Sequence, residues 1–184
     1  MVKHSYWLWE SVLSKEFCDL VIKETDWTKK QKGTVFNDGN PGVNEKTRIT
    51  DVVWVDSMSP IGCVALTYIN SANAQAGWNY NISSIEDIQI GRYEESGHYA
   101  WHTDSFAPDE NNIQRKLSVS IQLNNPSEYK GGEFEFKELP EKEQPKLLQG
   151  SVLVFPSFLH HRVTPITSGT RYSAVTWVNG PAFK

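Results

Sequence analysis

The sequence predicts a mainly β chain with flanking helices (α+β), arranged as a β-sandwich or jelly roll with the helices on one face. Three observations carry this. Both helical patterns lie before Gly77, short strand patterns separated by turn clusters begin at Trp78, and aromatics are plentiful, with seven Trp and seven Tyr.

The elements follow in order. Ser14 is an N-cap, Glu16 sits in the first turn, and Phe17, Leu20 and Val21 share a helical face, predicting a short helix over residues 15–25. Residues 31–47 contain three glycines, one proline and three asparagines with little apolar periodicity. They read as a loop long enough to act as a substrate lid, with Arg48 at its base as a candidate substrate contact. A strand is expected over 51–56. Ser59 caps a second helix, Pro60 occupies its first turn, and Ile61, Val64, Ala65, Tyr68, Ile69 and Ala72 repeat at helical spacing until Gly77 ends it. Strands are then expected over 85–93, 99–103, 116–123, 133–136, 151–155, 160–165 and 171–178. In the third of these Val119, Ile121 and Leu123 alternate with Ser118, Ser120 and Gln122, the period of a half-buried strand.

The 184 residues fit a single domain, 1–184, and an apolar fraction of 39% with 22% charged is that of an ordinary soluble protein. A formal charge of −4 leaves no footprint for nucleic acid or an anionic membrane. Residues 1–10 lack an apolar core of signal-peptide length, and no stretch approaches the ~20 apolar residues of a membrane helix, so a cytoplasmic location is expected. Cys18 and Cys63 both fall in helical segments and are expected to be buried free thiols.

The chemistry is carried by Trp101-His102-Thr103-Asp104, by His161-Arg162-Val163-Thr164-Pro165, and by Arg171, ten positions after His161. His102 and Asp104, two apart in a strand, point to the same face, and a distal His completes a two-His, one-carboxylate set that leaves positions open on a non-haem Fe(II). Adjacent strand residues point oppositely, so only one of His160 and His161 can join. His161, which starts the run, is chosen. His98 and His4 are read as structural or surface residues. Zinc is the rival metal, but a structural zinc would favour cysteines, which lie in the wrong segments, and no His-Glu-x-x-His helix is present. Iron with one carboxylate leaves about one positive charge, and a dicarboxylate co-substrate is balanced by the guanidinium fork of Arg171. Tyr93, on the preceding strand, is placed to donate a hydrogen bond to the same carboxylate. Trp101 and Trp177 are candidate walls of a substrate pocket.

These motifs resemble the 2-oxoglutarate/Fe(II)-dependent dioxygenases of the prolyl 4-hydroxylase type, including small bacterial and phage members. The likeness spans about residues 12–180. It includes Leu13-Ser14-Lys15-Glu16-Phe17, Ile88-Gln89-Ile90-Gly91-Arg92-Tyr93, the His102/Asp104 pair and Tyr129-Lys130-Gly131-Gly132-Glu133. Phe155-Pro156-Ser157, His161, Gly169, Arg171-Tyr172 and Trp177 follow in order. The resemblance implies a double-stranded β-helix core, Fe(II) held by His102, Asp104 and His161, and 2-oxoglutarate held by Arg171 and Tyr93. It also implies that O2 and 2-oxoglutarate are consumed, an unactivated C–H is hydroxylated, and succinate and CO2 are released, with ascorbate as a reductant.

The leading reading is hydroxylation of a prolyl residue in a protein or peptide; hydroxylation of a free amino acid or other small metabolite is the alternative. A nucleobase demethylase is disfavoured, because such relatives carry a second Arg six positions after the first, where this chain has Trp177. A non-catalytic metal-binding sandwich is disfavoured by the retention of all three ligand types and the Arg.

Overall fold

In the computed structural model, which describes residues 4–37 and 40–183, short antiparallel strands follow one another along the chain. Strand β1 (Trp7–Trp9) precedes helix α1 (Lys15–Glu24). Next come β2 (Gln31–Lys32), β3 (Val35–Asn37), β4 (Asn40–Gly42), β5 (Arg48–Ile49) and β6 (Asp51–Val55). After helix α2 (Pro60–Gln75) lie β7 (Ser84–Ile85), β8 (Ile88–Tyr93), β9 (His98–His102) and β10 (Ile113–Gln122). The chain closes with β11 (Tyr129–Gly131), β12 (Phe134–Phe136), β13 (Val152–Pro156), β14 (His161–Val163), β15 (Ile166–Gly169) and β16 (Arg171–Pro181).

Among the described residues, a large sheet runs in the order β1-β13-β10-β16-β8-β6-β2, with β7 also paired to β16. A smaller sheet, β12-β14-β9-β5, faces it. The helices cover the outer face of the large sheet. Ile61, Ala65, Ile69 and Ala72 of α2 pack there against Leu117, Val119, Ile121, Val152 and Val154. The alternate residues Leu153 and Phe155 point inward and meet Phe134, Phe136, Val163 and Ile166 between the sheets. Full burial of each such side chain contributes roughly 1.5–3 kcal/mol.

Both helix starts follow local chemistry. Ser14 Oγ accepts from the Phe17 amide at 3.2 Å and Ser59 Oγ from the Gly62 amide at 3.4 Å. Gly77, at φ +69°, takes the left-handed conformation just beyond α2.

Several expectations are corrected. The buried face of α1 centres on Cys18, flanked by Val21 and Ile22, whereas Leu20 is 52% exposed. Cys18 is buried and burial raises its thiol pKa to about 11, but Cys63 is exposed. The strand expected over 116–123 begins at Ile113, and its polar face is not in water: Ser118, Ser120 and Gln122 are buried. The expected strand over 85–93 is two, and the one over 160–165 ends at Val163. The 31–47 segment is not a plain loop. Gln31–Lys32 pairs with β6, and β3 pairs with β4; residues 38–39 lie outside the described residues. No helix among the described residues is long and apolar enough to cross a membrane.

Candidate metal centre and active-site cavity

His102 ends β9 and His161 begins β14, and the antiparallel register sets them directly opposite one another. Their ring centroids are 4.1 Å apart. The Nδ1 of His102 lies 2.8 Å from the Ala100 carbonyl and that of His161 lies 2.9 Å from the Leu159 carbonyl. A carbonyl only accepts, so each Nδ1 carries a proton and Nε2 is the ring atom left to face the cavity. Both Nε2 atoms point at Asp104: His102 Nε2 is 3.6 Å from Oδ1 and His161 Nε2 is 3.5 Å from Oδ2. The three donor atoms lie within 4.8 Å of one another, a group that can hold a metal ion.

Asp104 lies two residues beyond the end of β9, so strand alternation does not aim it. A bend does. The amides of Asp104 and Ser105 both donate to the Ser157 carbonyl at 2.9 Å, and the Ser118 hydroxyl donates to Asp104 Oδ2 at 2.7 Å. Ser118 also lies 3.0 Å from the Ser157 hydroxyl. Burial penalises the carboxylate charge, but His161, His102 and Arg115 outweigh it and hold Asp104 below the usual carboxyl range. Burial, together with the neighbouring His161, pushes the His102 pKa down to about 3. A neutral imidazole beside an ionised carboxylate is the protonation state that a divalent cation requires.

The cluster opens into a cavity of about 110 Å³ lined also by Arg48, Trp54, Gln89, Tyr93, Arg171 and Trp177. Arg171 begins β16 opposite Tyr93 on β8, and its guanidinium carbon lies 5.5 Å from the Tyr93 ring centroid. It is 2% exposed, Nη1 lies 3.5 Å from Ser173 Oγ, the Tyr129 phenol is also close to the guanidinium, and Nη2 has no hydrogen-bond partner among the described residues. A buried guanidinium without a carboxylate is costly unless an anionic ligand completes it. The donor set and this buried guanidinium without a carboxylate partner therefore fit an iron with an acidic co-substrate.

Two β-bulges bring in residues that strict alternation would turn away. In β10 the register slips between Arg115 and Leu117, and Arg115 joins the cavity face. There it lies 3.9 Å from the Trp177 ring centroid and makes a bidentate pair with Glu86 at 2.6 and 2.7 Å. In β9 the register slips between the positions facing His161 and Val163, so Tyr99 shares a face with His102 and stacks on it, ring centroids 3.5 Å apart. Burial raises the Tyr99 pKa to about 12.

The structure thus brings His102, Asp104, His161, Arg171, Tyr93, Trp177 and Arg48 to one cavity. Trp101 is not among them. It points out of β9, is 37% exposed, and carries the Arg162 guanidinium 4.6 Å from its ring centroid. His160 is turned outward to Glu138 at 3.2 Å. Sequence reasoning missed Ser118, Tyr99 and Arg115; the run of serines on an otherwise apolar strand was the available signal for the first.

Two histidines, one carboxylate and open space between the sheets of a jelly roll form the site type of non-haem Fe(II) oxygenases. The sequence model of the 2OG-Fe(II) oxygenase superfamily matches residues 88–179, half of the chain, and the chain belongs to that family. A PKHD-type hydroxylase of Synechococcus sp. (strain CC9902) is 35% identical over 97 residues, covering 53% of this chain and 43% of that protein. One from Gloeothece citriformis is 37% identical over 94 residues, 51% of this chain and 43% of that protein. The matches thus span less than half the length of these relatives.

Solved structures share the whole architecture. The viral collagen prolyl hydroxylase of Paramecium bursaria Chlorella virus-1, in its 2OG complex, superposes with a TM-score of 0.70 at 22% identity, covering 96% of this chain and 97% of that one. A Pseudomonas putida prolyl-4-hydroxylase gives 0.71 at 18% identity, covering 98% and 94%. A Trichoplax adhaerens prolyl hydroxylase, in complex with a hypoxia inducible factor peptide fragment, gives 0.66 at 18% identity, covering 95% and 83%. The fold is the double-stranded β-helix of these enzymes.

Proposed function

We propose that this chain is an Fe(II)- and 2-oxoglutarate-dependent dioxygenase that hydroxylates a prolyl residue of a protein or peptide, with succinate and CO2 as co-products. The observation that carries the reading is the convergence of two imidazole Nε2 atoms and the Asp104 carboxylate on a cavity that also contains Arg171, whose guanidinium has no carboxylate partner among the described residues. PKHD-type hydroxylases among the relatives and prolyl hydroxylases among the structural neighbours support it.

His102, Asp104 and His161 would hold the iron, which when bound supplies the activation of O2. The protein does the remainder. Main-chain carbonyls at Ala100 and Leu159 fix both imidazole tautomers, and Ser118 and the Ser157 carbonyl fix the Asp104 carboxylate. Arg171 would take the distal carboxylate of 2-oxoglutarate as a fork, with Tyr93 donating its phenol to the same group. Trp177 walls the cavity, excluding water from the reacting carbon. Arg48, which lines the cavity together with Thr34, would contact the primary substrate.

The test is succinate formation from 2-oxoglutarate by purified protein with Fe(II) and ascorbate, alongside mass spectrometry of proline-rich peptides for gain of one oxygen. Iron-dependent succinate and an oxidised peptide are expected. Absence of both, with Fe(II) bound, would overturn the reading.

A further inference from the structure

Arg48 is buried like Arg171, at 6% exposure against 2%, and it too lacks a carboxylate partner among the described residues. Its guanidinium is nonetheless held in a built cradle. One amino group donates to Gln89 Oε1 and the other to the Thr34 carbonyl at 3.2 Å, while the guanidinium carbon sits 4.6 Å from the Tyr99 ring centroid. Nε has no partner. Gly33 makes room for it: a Cβ there would lie 2.8 Å from the guanidinium carbon, so any side chain would displace the group. Thr34, Gln89, Tyr99 and Arg48 line the same cavity as His102 and Asp104.

Charge counting leaves Arg48 over. Arg115 is neutralised by Glu86. With iron in place, Asp104 and the two carboxylates of 2-oxoglutarate offset the metal and Arg171. About one positive charge remains, on a side chain shielded from water, where an uncompensated cation is expensive. We infer that Arg48 receives a carboxylate of the primary substrate, so that the hydroxylated carbon belongs to a molecule or peptide segment bearing a negative charge close to the reaction point. The inference rests on the dioxygenase reading and narrows its substrate class. The carboxylate can be that of a free amino acid or of an acidic residue or chain end beside the target residue.

The probe is trifluoroacetate, with trifluoroethanol as its neutral counterpart, followed by 19F line width on protein saturated with Mn(II) and 2-oxoglutarate. Trifluoroacetate is expected to broaden at least threefold more than trifluoroethanol, roughly the effect of a single charge-assisted contact, and to lose the excess in Arg48→Gln. Equal broadening of the two probes, or an undiminished excess in Arg48→Gln, overturns the inference. The Mn(II) and 2-oxoglutarate titrations that load the protein test the dioxygenase reading by themselves. Should they fail, the same probe comparison on metal-free Arg171→Gln and Arg48→Gln proteins still decides the Arg48 site. Thermal melting controls for folding, and Arg48→Lys, which keeps the charge but not the fork, is expected to retain part of the excess. Paired ligands then locate the source: L-proline against L-prolinamide, and a Pro-Glu peptide against its Pro-Gln twin. The acid member of one pair should bind about tenfold tighter; no preference in either pair also overturns the inference.

Discussion

His102 and His161 are cross-strand partners whose Nδ1 atoms each bind the carbonyl two residues earlier in the chain, Ala100 and Leu159 respectively. Two separate strands thus repeat one local device, and it sets both rings with Nε2 toward Asp104. The neighbouring His160 has no such role, since its Nδ1 pairs with Glu138 and its side chain is half exposed. His161→Ala is expected to abolish Fe(II)-dependent succinate formation, whereas His160→Ala leaves it within about twofold, as surface substitutions usually do. A 2-oxoglutarate turnover assay on both variants checks this.

Ser118 is fully buried and holds one oxygen of Asp104. Replacing it with Ala removes a support of the carboxylate without touching the donor atoms themselves. Fe(II) affinity is expected to fall by roughly 10–100-fold, the usual effect of losing such a partner. Titration calorimetry with Mn(II) reads this directly, and Ser118→Thr should restore most of it.

Arg171→Lys keeps a positive charge but loses the planar fork, so the KM for 2-oxoglutarate should rise by about tenfold or more. Gly132 supports the same side chain. It sits at φ +71°, and a Cβ there would lie 3.1 Å from Arg171 Cδ and press on Ile166. Gly132→Ala is therefore expected to lower stability by about 1–3 kcal/mol and to raise the same KM. Thermal melting and initial rates against 2-oxoglutarate concentration separate the two effects.

Asp51 gives the fold an acid-side dependence. Burial raises its pKa, but hydrogen bonds from Lys30, Arg92 and Lys32 outweigh that and hold it well below the usual carboxyl range. A group whose pKa is depressed in the folded state stabilises above its unfolded value, near pH ~4, and loses that contribution as pH falls toward the folded pKa. Asp51→Asn should cost about 2 kcal/mol at neutral pH, and the gap from the natural protein should narrow progressively as pH falls below about 4. Melting curves at a series of pH values test this. A gap that does not narrow in acid would refute it.

Much of this was legible in the chain itself, for identifiable reasons. Helix α2 announces itself through Ser59, Pro60 and an apolar repeat because all its instructions are local. The ligand set is legible because His-x-Asp, a distal His and a trailing Arg are residue types in a fixed order. Short strands such as β1, β5, β11 and β15 were missed, since two to four residues carry no period of their own and are specified by the partner strand. Alternation says which residues share a face but not what that face meets, so it separates Ser118 from Val119 without showing that Ser118 reaches Asp104, and it does not show that Trp101 points away from the cavity. The ordered motifs read as an Fe(II)/2-oxoglutarate oxygenase, and the superfamily model matches the chain over residues 88–179.

The two bulges carry a consequence for how the chain can change. Tyr99 and Arg115 enter the cavity only because β9 and β10 each contain one residue more than their partners. Deleting a single residue, Lys116 for instance, would preserve every side chain of the site in the sequence yet reverse the phase of Arg115. Length at these two points is thus under tighter constraint than chemical identity. Descendants of this chain should tolerate exchanges there far better than insertions or losses.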